Sequence, residues 1–217
     1  MTKKEKKRRL VAIHDQLAAL YPDATCYLQY GGEPWRLLVM GRLSAQCTDE
    51  RVNAVSVKLF ERYPTPHAMA EADIGELEGL VRSCGLYRTK AAQIREASAV
   101  LLREHGGRLP EDMDALLRLP GVGRKIANLL LGDVFGHSVV VTDTHCIRIC
   151  GRWGMYPEKL KNPAKIEQIL KELLPVEIAT DFCHRVVAFG REYCMARQPA
   201  CDACPVGQAG LCEWGRK

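Results

Sequence analysis

Four cysteines lie close together near the end of this 217-residue chain. They are separated by six, two and seven residues, at positions Cys194, Cys201, Cys204 and Cys212. Four thiolates at such short spacing can complete the ligand shell of a zinc ion or of the irons in an iron–sulfur cluster. Because metal binding contributes directly to folding free energy, the spacing predicts a tail that folds around a metal centre.

A glycine-containing turn between two short apolar segments is the second candidate site. Residues 111–131 read EDMDALLRLPGVGRKIANLLL. Gly121 and Gly123 permit a tight turn with positive φ, and the N–H groups of the turn and of the following helix suit a phosphate oxygen. With Leu-Pro before it and Arg124 after it, the segment resembles a helix-hairpin-helix motif, which binds DNA backbone without reading sequence. A plain turn between two helices is the alternative interpretation.

Lys125 lies in the first turn of the helix that follows these glycines. The helix dipole disfavours a positive charge at that end, so the residue is a poor choice for stability alone. One hypothesis makes Lys125 a nucleophile, an amine that loses its proton and attacks an electrophilic carbon. The other makes it a phosphate contact, which is also the role expected of Arg124.

An acidic residue marks the start of a later helix. Residues 139–145 read VVVTDTH, an apolar run that leads into Asp143 and a helical pattern. Asp is a preferred N-cap residue, because its carboxylate accepts a hydrogen bond from a free N–H of the first turn. A carboxylate beside a binding groove would alternatively activate an amine or stabilise a developing positive charge. The sequence leaves both interpretations open.

Apolar residues recur at helical spacing along almost the whole chain, which predicts an all-α fold. A helix containing Leu10 and Leu17 ends before Pro22, and Asp73 and Glu76 have the spacing of a capping box. The other predicted helices cover about residues 35–45, 49–63, 74–81, 88–105, 111–118, 124–135, 144–152, 163–173 and 179–190. The one strand predicted, SVVVT at 138–142, is too isolated to form a sheet.

The composition adds weaker constraints. A net charge of +5 is only weak evidence for a polyanionic partner. Six of the first nine residues are Lys or Arg, which indicates either the solvated start of a helix or an arm that contacts phosphates. No apolar run follows that is long enough for a signal peptide or a membrane span, so a soluble, cytoplasmic protein with reduced thiols is expected. The remaining cysteines are predicted to be small core residues: Cys26, Cys47, Cys84, Cys146, Cys150 and Cys183.

Taken together, these segments resemble endonuclease III, a family of DNA repair glycosylases in the helix-hairpin-helix superfamily. The resemblance covers nearly the whole chain. It rests on LSAQCTD (43–49), GLYRTKA (85–91), LPGVGRKIANLLL (119–131), VTDTH (141–145), GR (190–191) and the four final cysteines. The order and spacing of this set are highly specific.

The resemblance implies two α-helical domains with a DNA cleft between them. A six-helix barrel that contains the hairpin is expected at residues 27–137. The second domain is expected to combine residues 1–26 with 138–217 and to hold a [4Fe–4S] cluster. The implied activity is that of a bifunctional glycosylase and abasic-site lyase, which removes oxidised pyrimidines from double-stranded DNA. A monomeric, DNA-associated protein of a prokaryotic cytoplasm, without a membrane partner, is expected.

The resemblance also assigns roles to individual residues. Lys125 matches the nucleophile and Asp143 the carboxylate that assists it. Gln46 matches a residue that fills the space left by a flipped base, and Leu86 matches a wedge that enters the opposite strand. DNA backbone contacts are expected at Gly121, Gly123 and Arg124. The cluster ligands would be Cys194, Cys201, Cys204 and Cys212.

One departure and two rival interpretations accompany these expectations. The last cysteine spacing has seven intervening residues where the family pattern has five, and the two extra residues can bulge as a loop without loss of the fourth ligand. A monofunctional glycosylase of the same superfamily would lack a lysine at position 125, so Lys125 argues against it. A zinc-stapled DNA-binding module without enzymatic activity is the second rival.

Overall fold

The computed structural model describes residues 1–212 and residue 214. Helices are the only regular secondary structure in this part of the chain, which confirms the all-α prediction. Its α-helices are α1 (Lys3–Leu20), α2 (Pro34–Leu43), α3 (Asp49–Arg62), α4 (Pro66–Ala70), α5 (Ile74–Val81), α6 (Tyr87–His105), α7 (Met113–Arg118), α8 (Arg124–Asp133), α9 (Thr144–Arg152), α10 (Pro163–Leu173), α11 (Ala179–Glu192) and α12 (Pro205–Gln208). Residues 213 and 215–217, which end the second predicted domain, lie outside the described residues.

Each of the ten predicted helices is present, with ends shifted by a few residues. No start was predicted for α1, which begins at Lys3, where Thr2 and Glu5 form a capping box. The basic N-terminal segment is therefore the first turns of a helix. The short helices α4 and α12 were not predicted, since five and four residues are too few to show helical periodicity.

The prediction of a strand at 138–142 is wrong. This segment is extended, but its N–H groups bond to side chains of α11 and not to another strand. The Val139 N–H donates to Thr180 Oγ1 at 3.1 Å, and the Val141 N–H donates to Cys183 Sγ at 3.3 Å. The short apolar run of β-branched residues predicted the extended backbone correctly, whereas the identity of its hydrogen-bond partners was not available from sequence.

The chain divides into two compact units. The central unit is Cys26–Gly136 and contains α2 to α8. The terminal unit joins Met1–Thr25 to the chain from His137 onward, and contains α1 and α9 to α12. A unit that the chain leaves and re-enters has no single linker, which explains why the sequence shows no composition boundary.

Helix α2 is the most deeply buried helix of the central unit. Its apolar residues are covered on all sides, as expected for a helix without a polar face. Gly41 allows α8 to approach closely, because a Cβ at this position would lie 3.3 Å from Ile126 Cγ2. Around this pair, α4 and α5 pack on α6, and α3 packs on α2 and α5. The packing places the start of α8 at the surface while its apolar face stays in the core.

In the terminal unit, α11 packs on both α1 and α9. The contact with α9 requires glycine at position 190, since a Cβ there would lie 2.5 Å from His145 Nδ1 and 2.6 Å from Ile149 Cδ1. Gly190 thereby brings the helix that begins after Asp143 against α11. Throughout the described residues, no helix is long and apolar enough to cross a membrane.

The cysteines predicted to be core residues divide into two groups. Cys84, Cys146, Cys150 and Cys183 are buried, as predicted. The prediction is wrong for Cys26 and Cys47, which are only half-buried. Burial and nearby Asp133 raise the pKa of Cys26 to about 12, so this thiol stays protonated at neutral pH.

Candidate active site and cysteine cavity

The residues between α7 and α8 form a tight turn with a defined backbone. The Val122 N–H donates to the Leu119 carbonyl oxygen at 3.1 Å, and Gly121 has φ +78°. Proline at the second position and glycine with positive φ at the third are the features of a type II turn. A Cβ at Gly121 would lie 2.8 Å from Arg42 Cδ and 2.9 Å from Gln93 Oε1. This glycine is therefore required both by its φ angle and by its close packing.

The first residues of α8 are accessible to a ligand. Gly123 is the N-cap and, having no side chain, supplies no side-chain cap to this helix end. Arg124 and Lys125, the first two residues of the helix, are both exposed. Apolar residues begin immediately afterwards with Ile126, and they anchor α8 in the core. The local arrangement presents an amine and a helix N-terminus on one surface.

Asp143 is the N-cap of α9. One of its carboxylate oxygens accepts a hydrogen bond from the Cys146 N–H at 2.7 Å, and its backbone is extended with φ −87°. The preceding Thr142 is buried, whereas Asp143 itself is half-buried. The N-cap role left open by the sequence is thus present.

Gln46 and Leu86 share an uncommon backbone conformation. Gln46 has φ +55° and Leu86 has φ +46°, in the left-handed region that residues with a Cβ rarely adopt. Both side chains are exposed, and 59% of the Leu86 surface is open to solvent. A left-handed residue with a side chain costs about 1–2 kcal/mol, and such strain is concentrated at functional positions.

The four final cysteines line one cavity of the terminal unit. Its wall also contains Trp153, Phe189 and Tyr193, whose rings pack on one another. Burial raises the pKa of Cys194 and of Cys212. Among the described residues, no three His, Cys, Asp or Glu side chains are grouped closely enough to hold a single metal ion.

Arg152 provides polar contacts at this cavity. Its Nη1 donates to Cys194 Sγ at 3.3 Å and to the Met195 carbonyl oxygen at 2.8 Å. Its Nε is buried without a hydrogen-bond partner among the described atoms. A second donor reaches a thiol at Cys204, whose Sγ accepts from the Gly207 N–H at 3.4 Å. Soft ligands with N–H donors to sulfur fit an iron–sulfur cluster, whose sulfur atoms accept such bonds.

The seven residues between Cys204 and Cys212 form a short helix followed by a turn. They contain α12, and the helix ends in a Schellman motif with Gly210 at φ +71°. The Leu211 N–H donates to the Val206 carbonyl oxygen at 3.0 Å, and the Gly210 N–H donates to the Gly207 carbonyl oxygen at 3.0 Å. The longer spacing is therefore filled by regular, hydrogen-bonded backbone.

The sequence-predicted residues are distributed over both units. Gln46, Leu86, Gly121, Gly123, Arg124 and Lys125 belong to the central unit, whereas Asp143 and the four cysteines belong to the terminal unit. Sequence reasoning missed Lys90, which is fully buried on α6. Its signal was present, because Lys90 lies at helical spacing from the buried residues Ile94 and Ala97.

Comparison with known proteins gives a consistent result. A family model described as "HhH-GPD superfamily base excision DNA repair protein" matches residues 39–176. Endonuclease III of Synechocystis sp. is 44% identical over 208 residues, which cover 95% of this chain and 93% of that protein. The chain belongs to the endonuclease III family. The matched model ends before Cys194, so the cysteine tail lies outside it.

Other endonuclease III proteins match equally completely. The Escherichia coli K12 protein is 37% identical over 211 residues, which cover 97% of this chain and 98% of that protein. A solved non-covalent endonuclease III–DNA complex superposes with a TM-score of 0.91 at 38% identity, covering 100% of this chain and 97% of that one. A trapped endonuclease III–DNA covalent intermediate gives a TM-score of 0.90 at 39% identity, covering 100% and 98%.

Proposed function

We propose that this protein is a DNA glycosylase and abasic-site lyase of base excision repair, acting on oxidised pyrimidines in double-stranded DNA. The observation that carries the proposal is the exposed Lys125 amine at the start of α8, beside a turn of the kind that binds DNA backbone. A related endonuclease III has been trapped as a covalent intermediate with DNA, as is expected when a protein side chain attacks the substrate.

In this proposal the hairpin turn and α8 hold the DNA backbone. The N–H groups after Gly121 and those of the first turn of α8 bind phosphate oxygens, and Arg124 adds a positive charge. These contacts carry no sequence information, which suits an enzyme that must find damage in any sequence context. Their electrostatic part should weaken as the salt concentration rises.

A damaged base must leave the helical stack before its sugar becomes accessible, and unstacking costs a few kcal/mol. We propose that Gln46 fills the vacated space and that Leu86 enters between bases of the opposite strand. Their exposed side chains and left-handed backbones support this role. Because the strained backbone is formed before DNA arrives, less ordering remains to be completed during binding.

Neutral Lys125 then attacks C1′ of the deoxyribose, the new C–N bond forms, and the base leaves with the electron pair of the glycosidic bond. The attached nitrogen then loses a proton and its electron pair forms the C1′=N bond, while the C1′–O4′ bond breaks, O4′ takes up a proton and the sugar ring opens to a Schiff base. The Schiff base makes the C2′ protons acidic. Loss of one of them drives β-elimination, in which the C3′–O3′ bond breaks and the 3′ phosphate leaves with its electron pair. Asp143 is proposed to accept the proton of Lys125 or to stabilise positive charge on the sugar. Because one carboxylate oxygen caps α9, this role is assigned to the other oxygen.

We propose that Cys194, Cys201, Cys204 and Cys212 bind a [4Fe–4S] cluster. Support comes from their shared cavity, from the two N–H donors to sulfur, and from the buried Arg152 Nε. When bound, the cluster would fix the tail of the terminal unit by joining its four ligands. That constraint would hold the exposed Arg197, between the first two ligands, in a fixed position near DNA phosphates.

The decisive experiment is borohydride trapping on a duplex that contains thymine glycol. Borohydride reduces a Schiff base to a stable amine, so the parent protein should become covalently attached to DNA. Lys125→Arg is the matched variant, because it keeps a positive charge for phosphate binding and lacks a nucleophilic amine. It should bind the duplex and form no adduct.

The other outcomes separate the remaining functions. Base release by the parent without an adduct would identify a monofunctional glycosylase. An adduct that persists in Lys125→Arg would show that another residue is the nucleophile. If the parent neither releases base nor reacts with an abasic duplex, and is colourless with stoichiometric zinc, the protein is a DNA-binding module and the proposal is wrong.

A further inference from the structure

Lys90 is a buried lysine whose ammonium group is bound entirely by backbone. The side chain has no exposed surface. Its Nζ donates to the carbonyl oxygens of Leu43 at 2.8 Å, Ala45 at 2.7 Å and Cys84 at 2.7 Å. An ammonium group has three N–H donors, so these three acceptors satisfy it completely. Such an arrangement fixes three points of the backbone around one atom.

The three acceptors stand at the ends of helical segments. Leu43 is the last residue of α2, Ala45 follows two residues later, and Cys84 ends the short 3-10 helix Arg82–Cys84. Carbonyl groups at helix C-termini lack intrahelical partners and carry partial negative charge. The Lys90 ammonium thus caps two helix ends that are far apart in sequence, at 47 and 6 residues from it.

Both capped ends lead directly into the strained residues described above. Gln46, with φ +55°, follows Ala45, and Leu86, with φ +46°, lies two residues after Cys84. Lys90 also donates its backbone N–H to the Leu86 carbonyl oxygen at 3.0 Å. Lys90 therefore contacts the backbone just before Gln46 and just before Leu86. All of these residues belong to the central unit.

We propose that Lys90 is a positioning residue that holds the segments 43–47 and 84–86 in a fixed relation, so that Gln46 and Leu86 enter the DNA stack together. The effect of Lys90 on base release rests on the proposed function. The claim that Lys90 fixes these two segments does not depend on that function, since it concerns only the free protein. A neutral apolar side chain would leave three buried carbonyl groups without donors and release both segments.

The first test is hydrogen exchange in the free, full-length protein. Lys90→Met removes the ammonium group and keeps an unbranched chain of similar length. Leu101→Ala is the control, because Leu101 is buried on the same helix about 16 Å further along its axis. Exchange of amides in 43–47 and 84–86 should become faster in Lys90→Met and stay unchanged in Leu101→Ala.

The second test is single-turnover base release from a thymine-glycol duplex. Small misplacements of groups in an active site reduce rates by about a hundredfold, which is the loss expected for Lys90→Met. Borohydride trapping on a duplex with a preformed abasic site should fall much less, since no base remains to be extracted from the stack. Leu101→Ala should retain the parent behaviour in both assays.

The outcomes distinguish failure of this inference from failure of the proposed function. If the parent is active, and Lys90→Met matches the parent in both amide exchange and base release, the proposed role of Lys90 is wrong. A parent without base release or adduct would overturn the proposed function, while the exchange data would still decide whether Lys90 fixes both segments.

If Lys90→Met does not fold, the parent alone decides the question. In native-state exchange across a denaturant series, segments held by one residue should open together, with the same free energy and denaturant dependence. Independent opening of 43–47 and 84–86 would contradict the inference.

Discussion

Lys125 and Asp143 both lie at the start of a helix, but the helix dipole stabilises the charge of Asp143 and destabilises that of Lys125. Asp143 is stabilising where it is, because its carboxylate caps α9 and is attracted to the positive helix end. Lys125 is unfavourable at the corresponding end of α8. Structural reasons alone therefore explain Asp143, whereas Lys125 requires a functional reason.

Two substitutions at Asp143 separate its capping role from its proposed catalytic role. Asparagine keeps an oxygen that accepts the Cys146 N–H bond and loses the charge, so Asp143→Asn should fold with nearly parent stability. Base release should fall by about a hundredfold, as is typical for loss of a proton-transferring group. Asp143→Ala should lose activity and about 1 kcal/mol of stability. Thermal unfolding and single-turnover base release measure the two effects, and parent activity in Asp143→Asn would reject the catalytic role.

The chemistry of single residues was more predictable from sequence than their backbone conformation. The residue types and spacing of the hairpin, of Asp143 and of the cysteines indicated candidate sites before the fold was known. The left-handed φ of Gln46 and Leu86 carries no sequence signal, because neither residue type favours it. The partners of Lys90 were also hidden, since two of its acceptors lie more than forty residues away in sequence.

Among the structural elements, the turn between α7 and α8 shows two glycines with different functions. Gly121 has positive φ and is enclosed by Arg42 and Gln93. Gly123 has φ −98°, and a Cβ there would have no atom within 4 Å. Of these two positions, the fold therefore requires glycine only at 121, and we propose that glycine at 123 lets a DNA backbone come close.

The turn makes a matched pair of alanine substitutions informative. Gly121→Ala should destabilise the protein by about 1–2 kcal/mol from φ alone, with a further loss from displaced Arg42. Gly123→Ala should cost less, roughly 0.5–1 kcal/mol, because alanine is a poorer N-cap than glycine and its Cβ meets no neighbouring atom. Its DNA affinity should nevertheless fall. Unfolding in urea and duplex titration at fixed salt give both quantities, and equal destabilisation by the two variants would contradict this assignment.

Helix periodicity predicted the long elements well because each buries one apolar face. It failed for α4 and α12, which are shorter than two turns and depend on Pro66 and Pro205 at their first positions and on local caps. The strand prediction failed at 138–142, where an apolar run is buried against α11 without a partner strand. In both cases local hydrogen bonds decided the structure.

At the scale of the whole molecule, the cysteine cavity is the candidate metal site that would hold the tail of the terminal unit in place. Apart from Val206, the residues from 194 to 212 are half-buried or exposed, so apolar burial contributes little to holding them. Metal binding supplies the missing free energy in sites of this kind. The Schellman motif at the end of α12 adds local hydrogen bonds to the seven-residue segment before Cys212.

Cys212→Ser tests this arrangement. Loss of one ligand should lower the iron content of the purified protein and the temperature of unfolding, while any correctly assembled fraction keeps its base-release rate. Cys47→Ser is the control, because Cys47 is half-buried in the central unit and does not line the cavity. Iron content and visible absorption measure the result. Parent-like iron in Cys212→Ser would show that Cys212 is not a ligand.

The discontinuous terminal unit has a consequence for synthesis on the ribosome. Helix α1 emerges early, but the face that carries Leu10, Ile13 and Leu17 is covered in part by α11, which is made about 160 residues later. At 5–20 residues per second, that apolar face waits for roughly 10–30 s. The central unit is complete within this interval. Protease mapping of stalled nascent chains should find α1 cleavable until α11 has left the exit tunnel, and early protection would show that another segment shields it.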